Sequence, residues 1–396
     1  MTFPRVHLGD VCDLENGDRG VNYPSKDSFV VSGIPFINAG NLSAGVVDCS
    51  GMSFISEEHY GRLSAGKVRE GDIVFCLRGS LGKFAVVSGI GRGAIASSLV
   101  ILRPRSCLDL GYLRHFLGSE LCKREIMRFE NGAAQPNLSG RDLKLFDIPL
   151  PPLSEQKRIA AILDKANAIR RKRQQAIQLA DDFLRAVFQD MFGDSVTNPK
   201  GWDELVLKEI ADIRSGVTKG KVVKPDESVT LPYMRVANVQ DGYLDLEDVQ
   251  DITVSVKDAE KCQLLKGDIL LTEGGDPDKL GRGHVWNGEI ENCLHQNHIF
   301  SVRVKNKEIV RPAFLSAIIS SQRGKQYFLK VGKQTTGIAT INKTVLSEFV
   351  PFLPPVALQD KFLAMMGKID SVKLSLGKGD CGVFKSLSQK AFSGQL

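Results

Sequence analysis

"PPLSEQKRIAAILDKANAIRRKRQQAIQLADDFLRAVFQDMFGD" occupies residues 151–194, close to the middle of a chain of 396 residues. From Leu153 to Phe192 the stretch contains neither glycine nor proline, and a glycine follows it. Ser154 is a favoured N-cap residue, and Glu155 suits the positive end of a helix dipole. The stretch therefore predicts a single helix of about 40 residues, roughly 60 Å long.

Two apolar stripes run along this predicted helix at the three- and four-residue spacing of a coiled coil. The first stripe, with one polar intrusion, consists of Ile159, Ile162, Ala166, Ile169, Arg173, Ala176, Ala180, Phe183 and Val187. The second consists of Leu163, Ala166, Ile177, Ala180, Leu184, Val187 and Met191. Two adjoining stripes predict more than one packing partner, although a helix lying along a single domain is the alternative. The partner-binding candidates are Ile162, Leu163, Ile169, Ile177 and Leu184.

An internal repeat with an offset of about 200 residues runs through the chain. The matching pairs are "IPFINAGNL" (34–42) with "LPYMRVANV" (231–239), "VREGDIVFCLRGSLGK" (68–83) with "LLKGDILLTEGGDPDKLGR" (264–282), and "DLKLFDIPLPPLSEQKRIAAIL" (142–163) with "VLSEFVPFLPPVALQDKFLAMM" (345–366). The repeat predicts four segments, namely head 1 (residues 1–150), a central spacer helix (151–193), head 2 (194–353) and a C-terminal spacer helix (354–396).

Each head mixes two kinds of pattern. Short segments such as "GDIVFCL" and "SSLVILR" are rich in β-branched and aromatic residues and predict strands. Longer segments such as "GYLRHFLGSELCKREIMRFE" have helical periodicity. The predicted fold class is therefore α+β, with two heads of mixed sheet and helices.

The second spacer helix should run antiparallel to the first, because the repeat implies a pseudo-twofold relation between the copies. Glycines weaken it, each costing about 1 kcal/mol relative to alanine in a helix interior. These glycines are Gly367, Gly377, Gly379 and Gly382. We expect a break near "GKGDCG" (377–382) and a new start at "VFKSLSQKAF" (383–392).

Composition and charge restrict the class of protein. The net charge is +6, both heads are close to neutral, and the excess of Lys and Arg lies in the two spacer helices. Bulk charge therefore does not establish a nucleic-acid partner. The sequence contains no long apolar run and no apolar leader, and its eight cysteines form no CxxC pair. These features predict a cytoplasmic protein with reduced thiols.

Motifs for chemistry are sparse. No Gly-Lys pair precedes Ser or Thr as a phosphate-binding loop would require, and no NPPY- or DPPY-like tetrapeptide of an amino-methyltransferase occurs. The segment "CLHQNH" (293–298) could hold a metal, but the first copy has no equivalent ligands, so polar groups at a strand start are the preferred interpretation. The run "RRKRQ" (170–174) indicates a solvated helix face or an acidic partner, with DNA contact as the alternative. The sequence predicts a non-catalytic chain without a metal or cofactor of its own.

The helix start "PLPPLSEQKRIAAILD", the ending "SLSQKAFSGQL", the "GDIVF" and "GDILL" strands and the two-copy layout together resemble the DNA-specificity subunit of type I restriction–modification systems. The resemblance covers essentially the whole chain. It departs from the family pattern where "VALQDKF" replaces a second "LSEQKRI" and where glycines interrupt the second helix.

The resemblance implies a role in host defence and DNA methylation. Each head would be a target-recognition domain that reads one half of a bipartite, asymmetric DNA site. The paired helices would set the spacer and dock two adenine methyltransferase subunits, which restriction subunits then join. S-adenosylmethionine, ATP and Mg²⁺ would be bound by those partner subunits and not by this chain.

Candidate DNA-contacting residues are polar residues in loops at equivalent positions of the two copies, because Arg and Lys pair with guanine, Asn and Gln with adenine, and lysines hold phosphates. In head 1 they are Asn38, Asn41, Arg78, Ser80, Lys83, Arg92, Gln135 and Asn137. In head 2 they are Lys219, Lys221, Arg235, Asn238, Lys279, Arg282, His284, Asn297, Thr336 and Thr340. Any one of them could be an ordinary solvated loop residue, and Asn41 and Asn238 could instead cap turns. The loops differ between copies while the strands match, which favours two heads that read different sequences.

Two other classes of function remain open from the sequence. One is an enzyme with a cryptic nuclease or methyltransferase motif. The other is a coiled-coil adaptor that has lost DNA binding. Methyl transfer by the isolated chain would favour the enzyme, whereas DNA binding that requires methyltransferase subunits would favour the specificity subunit.

Overall fold

A computed structural model describes residues 3–43, 45–130, 136–220, 223–275, 280–335, 338–377 and 380–396. The chain forms two compact units. Unit 1 comprises Met1–Gln175 and Gly377–Leu396, and unit 2 comprises Ala176–Leu376. Each unit thus combines one head with parts of both spacer helices. Among the described residues, no helix is both long and apolar enough to cross a membrane.

The head of unit 1 contains short strands and helices in alternation. Its strands are β1 (Arg5–His7), β2 (Cys12–Asn16), β3 (Phe29–Val30), β4 (Ile34–Ile37), β5 (Leu42–Ser43), β6 (Gly45–Val47), β7 (Ser53–Ile55), β8 (Lys67–Arg69), β9 (Ile73–Cys76), β10 (Phe84–Val86), β11 (Arg92–Ile95), β12 (Leu99–Pro104) and β13 (Asp147–Pro149). Its helices are α1 (Leu8–Val11), α2 (Glu57–Arg62), α3 (Leu110–Leu117), α4 (Glu120–Phe129) and α5 (Gly140–Lys144).

Two mixed sheets form the body of this head. One has the strand order β2-β12-β9-β10-β6-β5 and the other β3-β7-β4-β11-β8, while β1 pairs with β13. Strand β9 is buried on both faces, because Ile73 and Phe75 enter one apolar core and Val74 and Cys76 enter another. This explains why "GDIVFCL" is continuously apolar and does not alternate.

The central spacer helix, α6, is continuous from Leu153 to Phe192 and contains 40 residues. This agrees with the extent predicted from the absence of glycine and proline. Gly193 follows it with a φ of +84°, a left-handed conformation that favours glycine and ends the helix.

The head of unit 2 repeats the arrangement of unit 1. Its strands are β14 (Asp203–Glu204), β15 (Ala211–Ser215), β16 (Ser228–Met234), β17 (Gln250–Ser255), β18 (Ile269–Thr272), β19 (Gly274–Gly275), β20 (Gly283–Val285), β21 (Leu294–His295), β22 (Ile299–Val304), β23 (Lys333–Thr335), β24 (Ile338–Thr340) and β25 (Phe352–Leu353). Its helices are α7 (Leu207–Ile210), α8 (Val256–Cys262), α9 (Pro312–Ser320), α10 (Gln322–Val331) and α11 (Lys343–Ser347). The strand order β15-β22-β18-β20 reproduces β2-β12-β9-β10 of unit 1, and β17-β16-β21 reproduces β7-β4-β11.

The C-terminal spacer forms two helices, α12 (Val356–Gly377) and α13 (Asp380–Ser393). The helix thus ends at the first glycine of "GKGDCG", as predicted. The second helix begins at Asp380, three residues before the start expected at Val383.

The C-terminal helices run antiparallel to α6 within each unit. In unit 2, the rings of Phe362 of α12 and Phe188 of α6 pack edge to face, with their centroids 5.5 Å apart. Further toward the C-terminal end of α12, Lys373 Nζ lies 2.7 Å from a carboxylate oxygen of Asp181. Residue numbers therefore increase along α12 in the direction in which they decrease along α6, so the two helices are antiparallel.

The same antiparallel order holds in unit 1. Arg170 of α6 lies over the ring of Phe384 of α13, 4.8 Å from its centroid. Nearer the start of α6, Arg158 donates a hydrogen bond to the carbonyl oxygen of Leu396 at 3.0 Å. The predicted antiparallel pairing of the two spacers is therefore confirmed within each unit.

The predicted long head helices are each split in two. In unit 1 the hydroxyl of Ser119 accepts from the amide of Cys122 and caps α4, which separates it from α3. In unit 2, Gly324 lies so close to the end of α9 that a Cβ there would approach the Ile319 carbonyl oxygen to 1.8 Å. The helical pattern is continuous across both corners, so periodicity alone predicts one helix where the chain forms two.

The aspartate of each "GDI" motif is buried and structural. Arg103 donates two hydrogen bonds of 2.9 Å to Asp72. Arg303 donates two of 2.7 Å to Asp268. The motif therefore fixes equivalent strands in the two heads.

The structure shows which residues of the two apolar stripes of α6 are buried and which are exposed. Leu163 is fully buried in the core of unit 1, so the partner-binding role predicted for it gives way to a role in the core. Leu184 packs against the core of unit 2 and is only partly exposed. Ile162 and Ile177 are also partly buried, whereas Ile169 remains exposed.

Candidate nucleic-acid interface

Each head brings two loops together at one end of its main sheet. In unit 1 the amide of Leu138 donates to the carbonyl oxygen of Leu77 at 3.0 Å. The neighbouring residues Arg78 and Asn137 form a β-bridge, and Nε of Arg78 donates to Oδ1 of Asn137 at 3.0 Å. We call this arrangement cradle 1. Two residues that the sequence nominated separately are thereby joined at one site.

The loop that follows β9 completes cradle 1. Ser80 is half-buried and Lys83 exposed. Gly82 has a φ of +82°, and a Cβ there would come within 2.9 Å of the Ile126 side chain. This glycine therefore lets the loop turn back over α4 and keeps Arg78 and Lys83 at its surface.

Arg19 is a cradle residue that sequence reasoning missed. Its guanidinium donates to the carbonyl oxygen of Ser97 at 3.2 Å. The next residue, Ser98, accepts from the amide of Leu77 at 2.8 Å, which connects Arg19 to the loop of Arg78. The repeat could not have identified it, because the registers of β2 and β15 align Arg19 with Thr218 in the second copy.

Unit 2 repeats the backbone of this cradle. The amide of Ile341 donates to the carbonyl oxygen of Glu273 at 2.8 Å, and Gly274 pairs with Thr340 between β19 and β24. The amide of Glu273 in turn donates to the carbonyl oxygen of His298 at 2.9 Å. We call this arrangement cradle 2.

The side chains of cradle 2 differ from those of cradle 1. Nδ1 of His298 lies 2.6 Å from a carboxylate oxygen of Glu273, and both residues were absent from the predicted contacts. Asn297 lies beside them and its amide donates to the carbonyl oxygen of Val217, two residues before the exposed Lys219. The equivalents of Arg78 and Asn137 are Gly274 and Thr340, and the carboxylate and imidazole pair lies where cradle 1 has Leu77 and Ser98.

Arg282 immediately precedes strand β20, and His284 lies on that strand, next to cradle 2. Nε of Arg282 is buried and has no hydrogen-bond partner among the described residues, so its guanidinium is held close to the sheet. Burial lowers the pKa of His284, and the nearby Glu289 and Asp370 oppose that effect only in part. His284 is therefore neutral at physiological pH and can both donate and accept hydrogen bonds.

The two candidate asparagines Asn41 and Asn238 have structural roles. Both are almost completely buried. The Oδ1 of Asn41 accepts from the amide of Asn38 at 3.0 Å, and that of Asn238 accepts from the amide of Arg235 at 2.8 Å. Their burial removes them from the surface that could meet bases, and the turn-capping alternative describes both.

Other candidates lie apart from the cradles or outside the described residues. Arg92 forms an ion pair with Glu57 on the second sheet of unit 1. Arg235 donates to a carboxylate oxygen of Asp248 at 2.7 Å. The candidates outside the described residues are Gln135, Lys221, Lys279 and Thr336.

The residues of "CLHQNH" do not converge. Burial raises the pKa of the Cys293 thiol to about 12, which keeps it protonated. Nδ1 of the buried His295 donates to the carbonyl oxygen of Cys262 at 3.0 Å, and burial lowers the pKa of His295. His298 faces Glu273 instead. Within the described parts of the chain, no three His, Cys, Asp or Glu residues are grouped to hold a metal.

Comparison with known proteins gives consistent matches over the whole chain. The family model described as "Type I restriction modification DNA specificity domain" matches residues 2–179 and 199–379. The type I restriction enzyme EcoKI specificity subunit of Escherichia coli K12 is 24% identical over 96% of this chain and 85% of its own length. The StySPI specificity subunit of Salmonella potsdam is also 24% identical, with the same coverage of both chains.

Solved structures share the fold. The S subunit of a type I restriction–modification system from M. genitalium aligns with a TM-score of 0.58 at 18% identity, over 99% of this chain and 96% of that one. A chain from a structural study of complex assembly in the type I system aligns with a TM-score of 0.56 at 16% identity, over 100% of this chain and 98% of that one.

Proposed function

Because the chain belongs to the family of type I restriction–modification DNA specificity domains, we propose that its two units each read one half of a bipartite, asymmetric DNA site. The chain is a specificity component for DNA sequence and is not itself catalytic, in keeping with its specificity-subunit relatives. Cradle 1 and cradle 2 are the proposed base-reading sites.

The observation that carries this proposal is the repetition of one backbone arrangement with different side chains. Arginine reads guanine through O6 and N7, and asparagine reads adenine. Carboxylates accept from the amino group of cytosine. Cradle 1 presents Arg78 and Asn137 where cradle 2 has Gly274 and Thr340, and cradle 2 presents Glu273 and His298 where cradle 1 has Leu77 and Ser98. The two units therefore offer different chemistry to the two half-sites.

The paired spacer helices are the proposed dock for partner subunits. Leu179 and Phe183 lie one turn apart on α6 and are 67% and 58% exposed. Exposed apolar neighbours of this size favour a protein partner. We assign this surface to adenine methyltransferase subunits, through which restriction subunits join. S-adenosylmethionine, ATP and Mg²⁺ are then held by those partners.

The test of half-site recognition is an exchange of heads. Residues 1–150 are replaced by the corresponding head of another family member, with α6 and α13 retained, and the methylated motif is read by methylome sequencing. We expect one half of the motif to change and the other half to persist.

Point variants supply the matched comparison. Arg78→Ala with Asn137→Ala should relax the half-site read by unit 1, and Thr340→Ala should affect only the other half. A motif in which both halves change after the head exchange, or neither, would contradict modular recognition.

A further inference from the structure

A basic cleft of about 550 Å³ lies in unit 1, where the corner between α3 and α4 faces α6 and α13. Its charged lining residues are Glu120, Lys123, Arg124, Arg170 and Lys385. Phe384 adds apolar surface to the same cleft. The cleft thus presents four basic groups against a single carboxylate, and it lies outside cradle 1.

Among the described residues, three of these four cations have no hydrogen-bond or ion-pair partner. Lys123 lies 3.0 Å from a carboxylate oxygen of Glu120, and this hydrogen bond lowers the pKa of Glu120, with Lys385 and Arg124 adding to the effect. The side chains of Arg124, Arg170 and Lys385 make no hydrogen bond or ion pair with any residue in the described ranges. One carboxylate is therefore shared by a group of cations that could accept more negative charge.

The position of Arg170 favours the binding of a negatively charged group in the cleft. Its guanidinium lies over the ring of Phe384 at 4.8 Å, and its Nε is buried without a hydrogen-bond partner among the described residues. A buried donor without a partner costs free energy. A carboxylate brought into the cleft would satisfy it, and the aromatic ring holds the guanidinium in place beforehand.

The equivalent cleft in unit 2 has the opposite character. It measures about 720 Å³ and lies between the α9–α10 corner, α12 and the second half of α6. Its charged lining residues are Asp181, Arg185, Asp194, Asp241 and Lys325. Arg185 lies 2.8 Å from Asp182 and Lys325 lies 3.8 Å from Asp241, so both of its cations are already paired.

The charged and aromatic residues of the unit 1 cleft indicate which kind of ligand it can bind. The cations without ion-pair partners among the described residues favour a negatively charged ligand. The concave aromatic surface beside them favours an apolar side chain. A DNA backbone would supply the charge but nothing to cover Phe384. An acidic protein segment that carries an apolar residue supplies both.

Resting on the proposed docking of methyltransferase subunits, we infer that the basic cleft of unit 1 is the socket for an acidic segment of one such subunit. The cleft of unit 2 does not offer the same socket. The two partner subunits therefore bind by unlike contacts, and only the one at unit 1 depends strongly on the salt concentration.

The experiment is native mass spectrometry of the full chain co-expressed with its methyltransferase, over a series of ammonium acetate concentrations. The wild-type chain should carry two methyltransferase subunits at low salt. The variant Arg124→Glu with Lys385→Glu should carry one under the same conditions, with binding of the lost subunit weakened about tenfold or more. Both substituted side chains are exposed, and a circular dichroism melt confirms that the variant is folded.

Two controls separate this effect from a general change of charge. Lys390→Glu lies on the same helix outside the cleft, and Arg185→Glu with Lys325→Glu alters the cleft of unit 2. Both should retain two subunits with the wild-type salt dependence.

The remaining outcomes are distinct. A charge-reversed variant that keeps two subunits with unchanged salt dependence would overturn the inference about the cleft and leave the proposed function intact. Loss of affinity for a fluorescent DNA duplex, without loss of a methyltransferase, would overturn it in favour of a nucleic-acid surface. A wild-type chain that captures no methyltransferase would overturn the proposed docking and this inference together.

Discussion

Two buried glutamines hold the starts of the long helices. Oε1 of Gln156 accepts from the amide of Asp109 at 2.8 Å, and its Nε2 donates to the carbonyl oxygens of Cys107 and Pro151, both at 2.9 Å. Gln359 makes the same three bonds in unit 2. Neither side chain is exposed. Each glutamine therefore connects a spacer helix to the loop that begins the head helices.

Replacing Gln156 with alanine should destabilise unit 1. The change leaves one amide and two carbonyl groups without their partner, and buried unsatisfied groups cost about 1–3 kcal/mol each before water re-enters. We expect the free energy of unfolding of unit 1 to fall by about 2–4 kcal/mol. Hydrogen exchange of amides in β9 and β12 measures this loss.

Gln175→Ala is the matched control, because that glutamine lies on the same helix and is exposed. Its exchange protection should equal that of the wild type. Equal protection in Gln156→Ala and in the control would show that the buried glutamine is not a structural connection.

The role of these glutamines could have been predicted from the repeat. "PPLSEQ" and "PPVALQ" share only the proline pair and the glutamine. The sequence of the first copy hides the signal, because Glu155-Gln156-Lys157 has the appearance of a solvated first turn. Burial of a polar side chain depends on the distant carbonyls that it meets, and local pattern does not contain them.

At the scale of the element, the role of each apolar residue of α6 depends on whether the units cover its face of the helix. Leu163 and Leu184 face the cores of the units, whereas Ile169, Leu179 and Phe183 are exposed. Periodicity correctly predicted an uninterrupted helix with two apolar stripes. It did not identify the covered stripe, because that depends on how α12, α13 and the heads pack against the helix.

The exposed apolar side chains Leu179 and Phe183 supply a prediction about docking. Leu179→Asp with Phe183→Asp should weaken the binding of a methyltransferase subunit about tenfold or more, because two charges would be buried in an apolar interface. The units should keep their wild-type melting temperatures, since neither residue contributes to a buried core. Native mass spectrometry and differential scanning calorimetry give the two readouts.

Leu184→Asp is the comparison for this pair. Its side chain packs against the core of unit 2, so the change should lower the melting temperature. Full retention of partner subunits by the doubly substituted Leu179 and Phe183 variant would assign docking to another surface.

At the scale of the whole molecule, the continuous helix α6 belongs to both units, with the division after Gln175. The corresponding division of the C-terminal spacer falls before Gly377. These two positions are therefore the places where length can be added without disturbing the antiparallel contacts inside either unit.

Four residues inserted after Gln175, matched by four helix-forming residues after Leu376, should change the spacing of the recognised site. Four residues add about 6 Å and leave the helix within about 40° of its original phase. Since DNA rises about 3.4 Å per base pair, the half-sites should move one or two base pairs apart with their sequences unchanged. Methylome sequencing measures the new motif.

Insertions of two residues provide the contrast. They rotate one unit by about 200° and should abolish recognition. An active four-residue variant with the original spacing would show that the helix does not set the distance.

The heads show how far the sequence predicts a binding site. The repeat identified equivalent strands, loops and residues such as Arg78 and Asn137. It could not show that Arg78 meets Asn137, because that pairing joins segments about 60 residues apart through a loop whose closure depends on the folded sheet. Glu273 was missed for the same reason, and His298 was interpreted only as a polar group at a strand start.

The two units differ in the number of chain segments that form them, and this difference has a consequence for folding during synthesis on the ribosome. Unit 2 is a single uninterrupted segment, whereas unit 1 requires residues 377–396, whose Phe392 packs 5.2 Å from the ring of Tyr112. Domains generally fold as units while the chain is being made. The second-encoded unit can therefore finish folding first, and head 1 must wait, partly uncovered, until the tail has left the exit tunnel.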